Sequence, residues 1–215
     1  MAGITEYIRD KGDWELIIWA DSSPESLLFL KERGCQGAFA NIQTSTKAQQ
    51  ILKIGMPIIA FSSIQALFSL PFISADPDQI AQTAFEYFKN KKFTNFAFFG
   101  LTEARWSLER MESFRRYVEK DGGTLHTFQS SPQPIKGDAV PLAKLWIDTI
   151  LQKGQQPLID WLQHLPKPIA ILASNDILAC HLSNVAAEAG LRIPEEIALL
   201  GIDDDQAVFA PVNGA

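Results

Sequence analysis

Short apolar runs alternate with amphipathic stretches along nearly the whole chain, and this pattern predicts parallel β-sheets with helices on both faces. In the first part of the chain it predicts strands at 15–19, 37–40 and 57–61 and helices at 2–10, 24–33 and 46–54. Gly34 follows the second of these helices, a position where glycine often stops a helix. The fold class that follows is α/β.

The same alternation continues in the rest of the chain, after an apolar run at 72–75 that is closed by Asp76. Gly100 is predicted to end the first strand of this part, and Ser107 to cap the helix that follows. The pattern predicts strands at 95–99, 124–129, 169–173 and 197–202 and helices at 78–91, 107–120, 142–153, 156–164 and 176–189.

Composition narrows the class of protein. The chain has 215 residues, of which 47% are hydrophobic, enough for one or two domains with a buried core. A net charge of -6 argues against direct binding of nucleic acid by this chain. Cys35 and Cys180 show no disulfide or metal-ligand spacing. Because the N-terminal residues are charged and no apolar run approaches a membrane-spanning length, we expect a cytoplasmic chain with no membrane contact.

Polar residues follow two of the predicted strands. Asn175 and Asp176 come after strand 169–173, and Asp203 opens a run of three aspartates after strand 197–202. Open α/β sheets bind ligands at the carboxyl ends of their strands. Carboxylates there suit sugar hydroxyls, whereas the alternative for Asn175 and Asp176 is to cap the next helix.

The run of aspartates allows three interpretations. It is a solvated loop, or Asp203 binds sugar hydroxyls, or Asp203 and Asp205 form a magnesium-dependent phosphatase motif of the haloacid-dehalogenase type. The phosphatase motif should open a domain, whereas these aspartates follow the last predicted strand.

Trp106 and Arg110 lie on the strand-to-helix segment that follows Gly100. The Trp106 ring can stack on a sugar, and the Arg110 guanidinium can bind two hydroxyls. Their alternatives are a half-buried Trp and a surface Arg paired with Glu109 or Glu112. Asp76 is either a helix cap or a further ligand contact.

The sequence contains few of the motifs that are typical of catalytic sites. His126, His164 and His181 lack metal-ligand spacing, and no nucleophile elbow, phosphate loop or dinucleotide fingerprint occurs. We therefore expect a binding protein with no enzyme activity, no cofactor and no metal.

Several segments together resemble the effector domains of the lactose-repressor and periplasmic-binding-protein family. The resemblance rests on ASNDILACHLSNVAAEAGLRIPEEIALLGIDDD, on PFISADPDQIAQTAFEYFKNKKFTNFAFFG and on WSLERMESFRRYVEKDGG. The segment DWLQHLPKPIAILASND is similar to the xylose-operon branch of that family. Ser113 and Ala81 depart from the family pattern, which often has glycine at both positions.

The resemblance implies two Rossmann-like lobes, assigned here to residues 1–100 and 101–215, with a sugar bound between them. It implies Arg110, Asp176 and Asp203 as ligand contacts, with Asn175, Asp76 and Trp106 beside them. We expect the first strand of the N-terminal lobe and the C-terminal return to that lobe to be missing.

The resemblance also implies a function. The chain would be the effector domain of a homodimeric transcriptional regulator that senses D-xylose or a similar monosaccharide. It would reach DNA only through a DNA-binding domain absent from this chain. The alternatives are a sugar-binding protein of the transport type and the phosphatase described above.

Overall fold

The computed structural model of the protein describes residues 2–12, 14–19, 21, 23–42, 45–61, 70–102, 104–130 and 155–204. The predicted helix 142–153 lies outside these residues. The chain divides into two compact units, Met1–Ser74 and Ala75–Ala215. Both are α/β units with parallel sheets, which confirms the predicted fold class. Among the described residues, no helix has the length and apolar character needed to cross a bilayer.

The first unit contains a parallel sheet of three strands in the order β1-β2-β3. Apart from a predicted strand at 15–19, its elements follow the predicted alternation: α1 (Ala2–Lys11), α2 (Pro24–Glu32), β1 (Ala38–Asn41), α3 (Ser45–Leu52), β2 (Ile58–Phe61) and β3 (Phe72–Ile73). Gly34, just beyond α2, has a φ of +93°, as a helix-stopping glycine requires. The core of this unit includes Leu27, Ala40, Ile51 and Ile58.

The predicted strand at 15–19 is wrong. Residues 14–19 have no regular structure and are exposed, with Ile18 exposed by 74%. Apolar character favours a strand only where a neighbouring strand takes up its backbone groups. This segment joins neither edge of the β1-β2-β3 sheet.

The second unit contains a parallel sheet of four strands in the order β5-β4-β6-β7. Its elements are α4 (Pro77–Asn90), β4 (Phe96–Leu101), α5 (Arg105–Lys120), β5 (Leu125–Ser130), α6 (Gln156–His164), β6 (Ile169–Ala173), α7 (Asp176–Glu188) and β7 (Ile197–Leu200). The bounds of α6 and β6 are those predicted from the sequence.

Two hydrophobic layers cover this sheet. On one face, α4 and α5 pack against β4 and its neighbours, with Phe88, Phe98 and Phe114 at the centre. On the other face, α6 and α7 pack through Leu162 and Leu182. Since both faces are covered, the site-forming loops at the strand ends are held on a rigid support.

Two local predictions in this unit are wrong. Gly100 lies inside β4 instead of ending it, and Ser107 lies in the first turn of α5, whose N-cap is Ala104. The two errors have one cause. A Cβ on Gly100 would lie 2.5 Å from Ser107 Oγ, and that hydroxyl accepts a hydrogen bond from the Leu101 N–H at 2.9 Å. Ser107 therefore connects α5 to β4 by a hydrogen bond, and the absence of a side chain at Gly100 leaves space for its hydroxyl.

The lobe boundary at residue 100 stays a prediction. The second compact unit begins at Ala75 and includes α4 and β4, which the sequence-based division places in the first lobe. β4 belongs with this unit because it pairs with both β5 and β6.

Candidate functional site

The carboxyl edge of the four-stranded sheet brings together the polar residues that follow β6 and β7. These strands are neighbours, so Asp176 and Asp203 lie at adjacent strand ends. The backbone N–H of Asp176 donates to the oxygen of Ile202 at 2.9 Å. The expectation that the two acidic segments share one edge is met.

Gly201 allows this close approach. A Cβ at Gly201 would lie only 3.2 Å from the Cα of Asp176 and would overlap its carboxylate. Glycine in a strand end often marks such a backbone contact, so the sequence carries a signal for it that the motif analysis did not use. Asp176 itself is 4% exposed, which makes its carboxylate a fixed part of the edge.

Asn175 caps α7. Its side-chain oxygen accepts a hydrogen bond from the Leu178 N–H at 3.0 Å, and the residue is buried. The capping interpretation is therefore confirmed for Asn175. The cap uses the oxygen, and the amide nitrogen remains a hydrogen-bond donor by its chemistry.

Arg110 links α5 to both strand ends. It donates to the backbone oxygen of Ser174 at 2.5 Å, and it lies 3.4 Å from the Asp203 carboxylate. Its side chain is 12% exposed, whereas that of Asp203 is 50% exposed. Glu109 and Glu112, the alternative partners, pair instead with Arg105 and Arg115.

Burial sets the electrostatics of Arg110. Desolvation lowers its pKa, while the nearby carboxylates of Asp203 and Asp176 act in the opposite direction. The guanidinium stays charged because the intrinsic pKa of arginine is so high. The site thus combines a partly desolvated cation with acceptor oxygens, which is a favourable setting for strong hydrogen bonds to a ligand.

The aromatic ring of Trp106 lies beside Arg110 at this edge of the sheet. The Arg110 guanidinium carbon lies 5.1 Å from the centre of the Trp106 ring, within the range of a cation–π contact. Trp106 is partly buried against the core layer of α6 and α7. The indole and the guanidinium, four residues apart on one helix, therefore stand side by side.

The backbone after β7 is unusual. Asp203 and Asp204 have φ values of +114° and +53°. A positive φ costs a residue with a side chain about 1–2 kcal/mol, so surrounding contacts must hold this turn.

Asp76 has the role of a helix cap. Its carboxylate accepts hydrogen bonds from the backbone N–H groups of Asp78 at 2.9 Å and Gln79 at 3.3 Å, at the start of α4. The structure thus supports the capping alternative for Asp76.

Two further polar side chains at this edge were missed. Ser174 precedes Asn175, and Gln129 lies near the end of β5. Neither belongs to a sequence motif, and only the burial of Ser174 Oγ and Gln129 Nε2 distinguishes them.

Among the described residues, no group of three His, Cys, Asp or Glu side chains is placed to hold a metal ion. Asp205, required by the phosphatase alternative, lies outside the described part of the chain.

Comparison with protein families gives a match over residues 85–212 to the periplasmic binding protein-like domain. The xylose operon regulatory protein of Escherichia coli (strain K12) is 27% identical over 215 aligned positions, which cover 95% of this chain and 50% of that relative. The protein of the same name from Haemophilus influenzae is 30% identical over 141 positions, covering 64% of this chain and 33% of the relative. The chain spans about half the length, or less, of these curated relatives.

Solved structures show the same fold. A xylose-binding transcription activator matches with a TM-score of 0.71 and 24% identity, covering 95% of this chain and 50% of that one. A periplasmic binding protein/LacI transcriptional regulator from Alkaliphilus metalliredigens, solved with D-xylulofuranose, matches with a TM-score of 0.66 and 16% identity, covering 96% and 73%.

Proposed function

This chain belongs to the family of periplasmic binding protein-like domains, and from that premise we propose that it is the effector-binding part of a transcriptional regulator that senses D-xylose or a similar monosaccharide. The names of two relatives, both xylose operon regulatory proteins, support the regulator and the sugar. The proposal covers this part of a regulator only.

The observation that carries the proposal is the bridge made by Arg110. One guanidinium contacts the Ser174 carbonyl at the end of β6 and the Asp203 carboxylate after β7, and it stands beside the Trp106 ring. A sugar presents hydroxyls that both donate and accept, on a ring with apolar faces. Fixed acceptors, a fixed donor and an aromatic face in one place match that chemistry.

Each residue then has a role. Asp176 and Asp203 accept hydrogen bonds from sugar hydroxyls, Arg110 donates to them, and Trp106 packs against the ring. Asn175 offers its amide nitrogen while its oxygen caps α7. Asp76 is a further candidate contact, and its carboxylate also caps α4.

The sugar would act by shifting a conformational equilibrium. A ligand that binds one arrangement of the regulator better than another raises the population of that arrangement by its difference in affinity. In the proposal the regulator is a cytoplasmic homodimer that contacts DNA through a segment outside this chain, and this part needs no cofactor or metal.

Two alternatives differ in class. A transport-type sugar-binding protein would use the same edge for the same ligand, and the regulator relatives favour the sensor over it. A magnesium phosphatase would need Asp203 as a nucleophile, yet that carboxylate already lies beside a cation, Arg110. Pairing with a cation disfavours this residue as the metal-bound nucleophile.

Thermal unfolding with a panel of ligands separates these functions. The proposal predicts that D-xylose or a related pentose raises the melting temperature without magnesium, since a ligand at about a hundredfold its Kd adds about 2.7 kcal/mol. Stabilisation only by phosphosugars with magnesium, together with phosphate release, would favour the enzyme. A sugar-dependent change in DNA binding by the whole regulator distinguishes a sensor from a transport protein.

A further inference from the structure

Gln129 and Ser174 lie at the same level of the sheet, on either side of Gly100. Gln129 is the register partner of Gly100. Phe99 pairs with Ala173, and the Ser174 N–H donates to the Phe99 oxygen at 2.8 Å, which places Ser174 level with Gly100 on the other side. Strands lie about 4.8 Å apart, so the Cα atoms of Gln129 and Ser174 are about 10 Å apart across β4.

Both side chains belong to the face of the sheet that α5 covers. Leu125 lies four positions before Gln129 in β5, and Leu172 in β6 lies two positions before Ser174. Both leucines belong to the hydrophobic layer under α4 and α5. Alternation along a strand places Gln129 and Ser174 on that same face. Ser107 of α5 sits over Gly100 between them.

One polar side-chain atom of each residue is buried and unpartnered among the described residues. Ser174 is fully buried, and neither its Oγ nor the Gln129 Nε2 has a hydrogen-bond partner within the described part of the chain. A buried polar group without a partner costs about 1–3 kcal/mol, so each of these atoms requires a partner beyond the described residues, such as a ligand group or an internal water. An amide N–H and a hydroxyl are suited to a hydroxyl oxygen, which accepts from the amide and exchanges a hydrogen bond with serine.

We propose that Ser174 and Gln129 are the inner wall of the ligand site and that each binds a hydroxyl group of the bound sugar. The inference rests on the proposed function and extends it by two residues. It follows from continuity with the site: the Ser174 carbonyl is held by Arg110, and the next two residues are Asn175 and Asp176. An internal water could satisfy the same atoms, and the experiment below distinguishes the two.

The test compares the full chain with its Ser174→Ala and Gln129→Leu variants, with and without D-xylose. Melting temperature gives the stability of the free protein, and a D-xylose titration gives the affinity. Ser113→Ala is the matched control, because it removes a hydroxyl from a buried serine of α5 whose partner is Arg116. We expect each test variant to bind D-xylose about three- to tenfold more weakly and to melt at the same or a higher temperature when free.

Unchanged D-xylose affinity in both test variants overturns the inference. In that case, lower stability of the free variants identifies an internal water, and higher stability identifies a pair that is simply unsatisfied. If the unmodified chain responds to neither D-xylose nor any related monosaccharide, the proposed function fails and the inference fails with it. If it responds and the variants respond equally, only the inference fails.

Discussion

Gly201 lies against Asp176 so closely that no side chain fits between them: a Cβ on Gly201 would stand 3.2 Å from the Asp176 Cα and overlap its carboxylate. This contact joins the end of β7 to the start of α7. It fixes Asp176 at the edge of the sheet, beside the residues that Arg110 bridges.

Gly201→Ala should therefore destabilise the fold and weaken ligand binding. Its backbone does not have a positive φ, so the effect comes from overlap alone. Overpacking of this kind costs about 1–3 kcal/mol, measured as a loss in the free energy of unfolding by urea. The control is Gly3→Ala in α1, where a Cβ meets nothing within 4 Å; it should be neutral or stabilising. Equal effects of the two variants would refute the packing argument.

Ser107→Ala should destabilise the second unit. The serine hydroxyl accepts from the buried Leu101 N–H, and its removal leaves that donor unsatisfied. We expect a loss of about 1–3 kcal/mol in the free energy of unfolding. Ser113→Ala on the same helix should cost less, because its partner Arg116 is an exposed side chain. A Ser107→Ala protein as stable as the Ser113→Ala protein would contradict this role.

The cap on α7 predicts a difference between two substitutions of Asn175. Asn175→Ala removes the acceptor for the Leu178 N–H and should cost about 1 kcal/mol in unfolding free energy. Asn175→Asp keeps a capping oxygen and should retain most of that stability. If the amide nitrogen also contacts the sugar, Asn175→Asp will nevertheless weaken D-xylose binding. Equal stability of the Ala and Asp variants would show that the cap contributes nothing.

His181 predicts a dependence of stability on pH. Burial lowers its pKa from the ordinary value of 6.5, with Glu188 acting in the opposite direction. The unfolded chain then binds more protons than the folded one as pH falls below 6.5, so stability present above 6.5 is lost towards acid pH. We expect the unfolding free energy to fall from about pH 7.5 to about pH 5.5, and to fall less in His181→Leu. The same decline in both proteins would place the effect elsewhere.

Local signals were sufficient for much of the second unit. β6 and α7 were predictable because an apolar run, a capping Asn and a terminal glycine all indicate the same boundaries. The segment at 15–19 is apolar too, but strand formation depends on a neighbour, which sequence patterns do not reveal. Gly100 and Ser107 were misassigned for a similar reason: their roles depend on a contact between a strand and a helix.

The candidate site was predictable to the level of strand ends. Motif order placed Trp106, Arg110, Asp176 and Asp203 near one another, since parallel strands share an edge. The choice of Asp203 over Glu109 as the partner of Arg110 depends on side-chain direction. Ser174 and Gln129 carry no motif, and only the register of β4, β5 and β6 puts them in one row.

The most direct test of the central claim is calorimetric titration of D-xylose into the full chain, its Arg110→Leu variant and its Arg116→Leu variant. Arg116 is a matched control because it lies on the same helix and pairs with Asp78, in an exposed salt bridge. We predict that the unmodified chain and Arg116→Leu bind with the same Kd, and that Arg110→Leu binds at least about tenfold more weakly, since hydrogen bonds to charged groups contribute about 1.5–3 kcal/mol. Binding of neither D-xylose nor a related monosaccharide by the unmodified chain, or equal binding by a folded Arg110→Leu protein, would contradict the account.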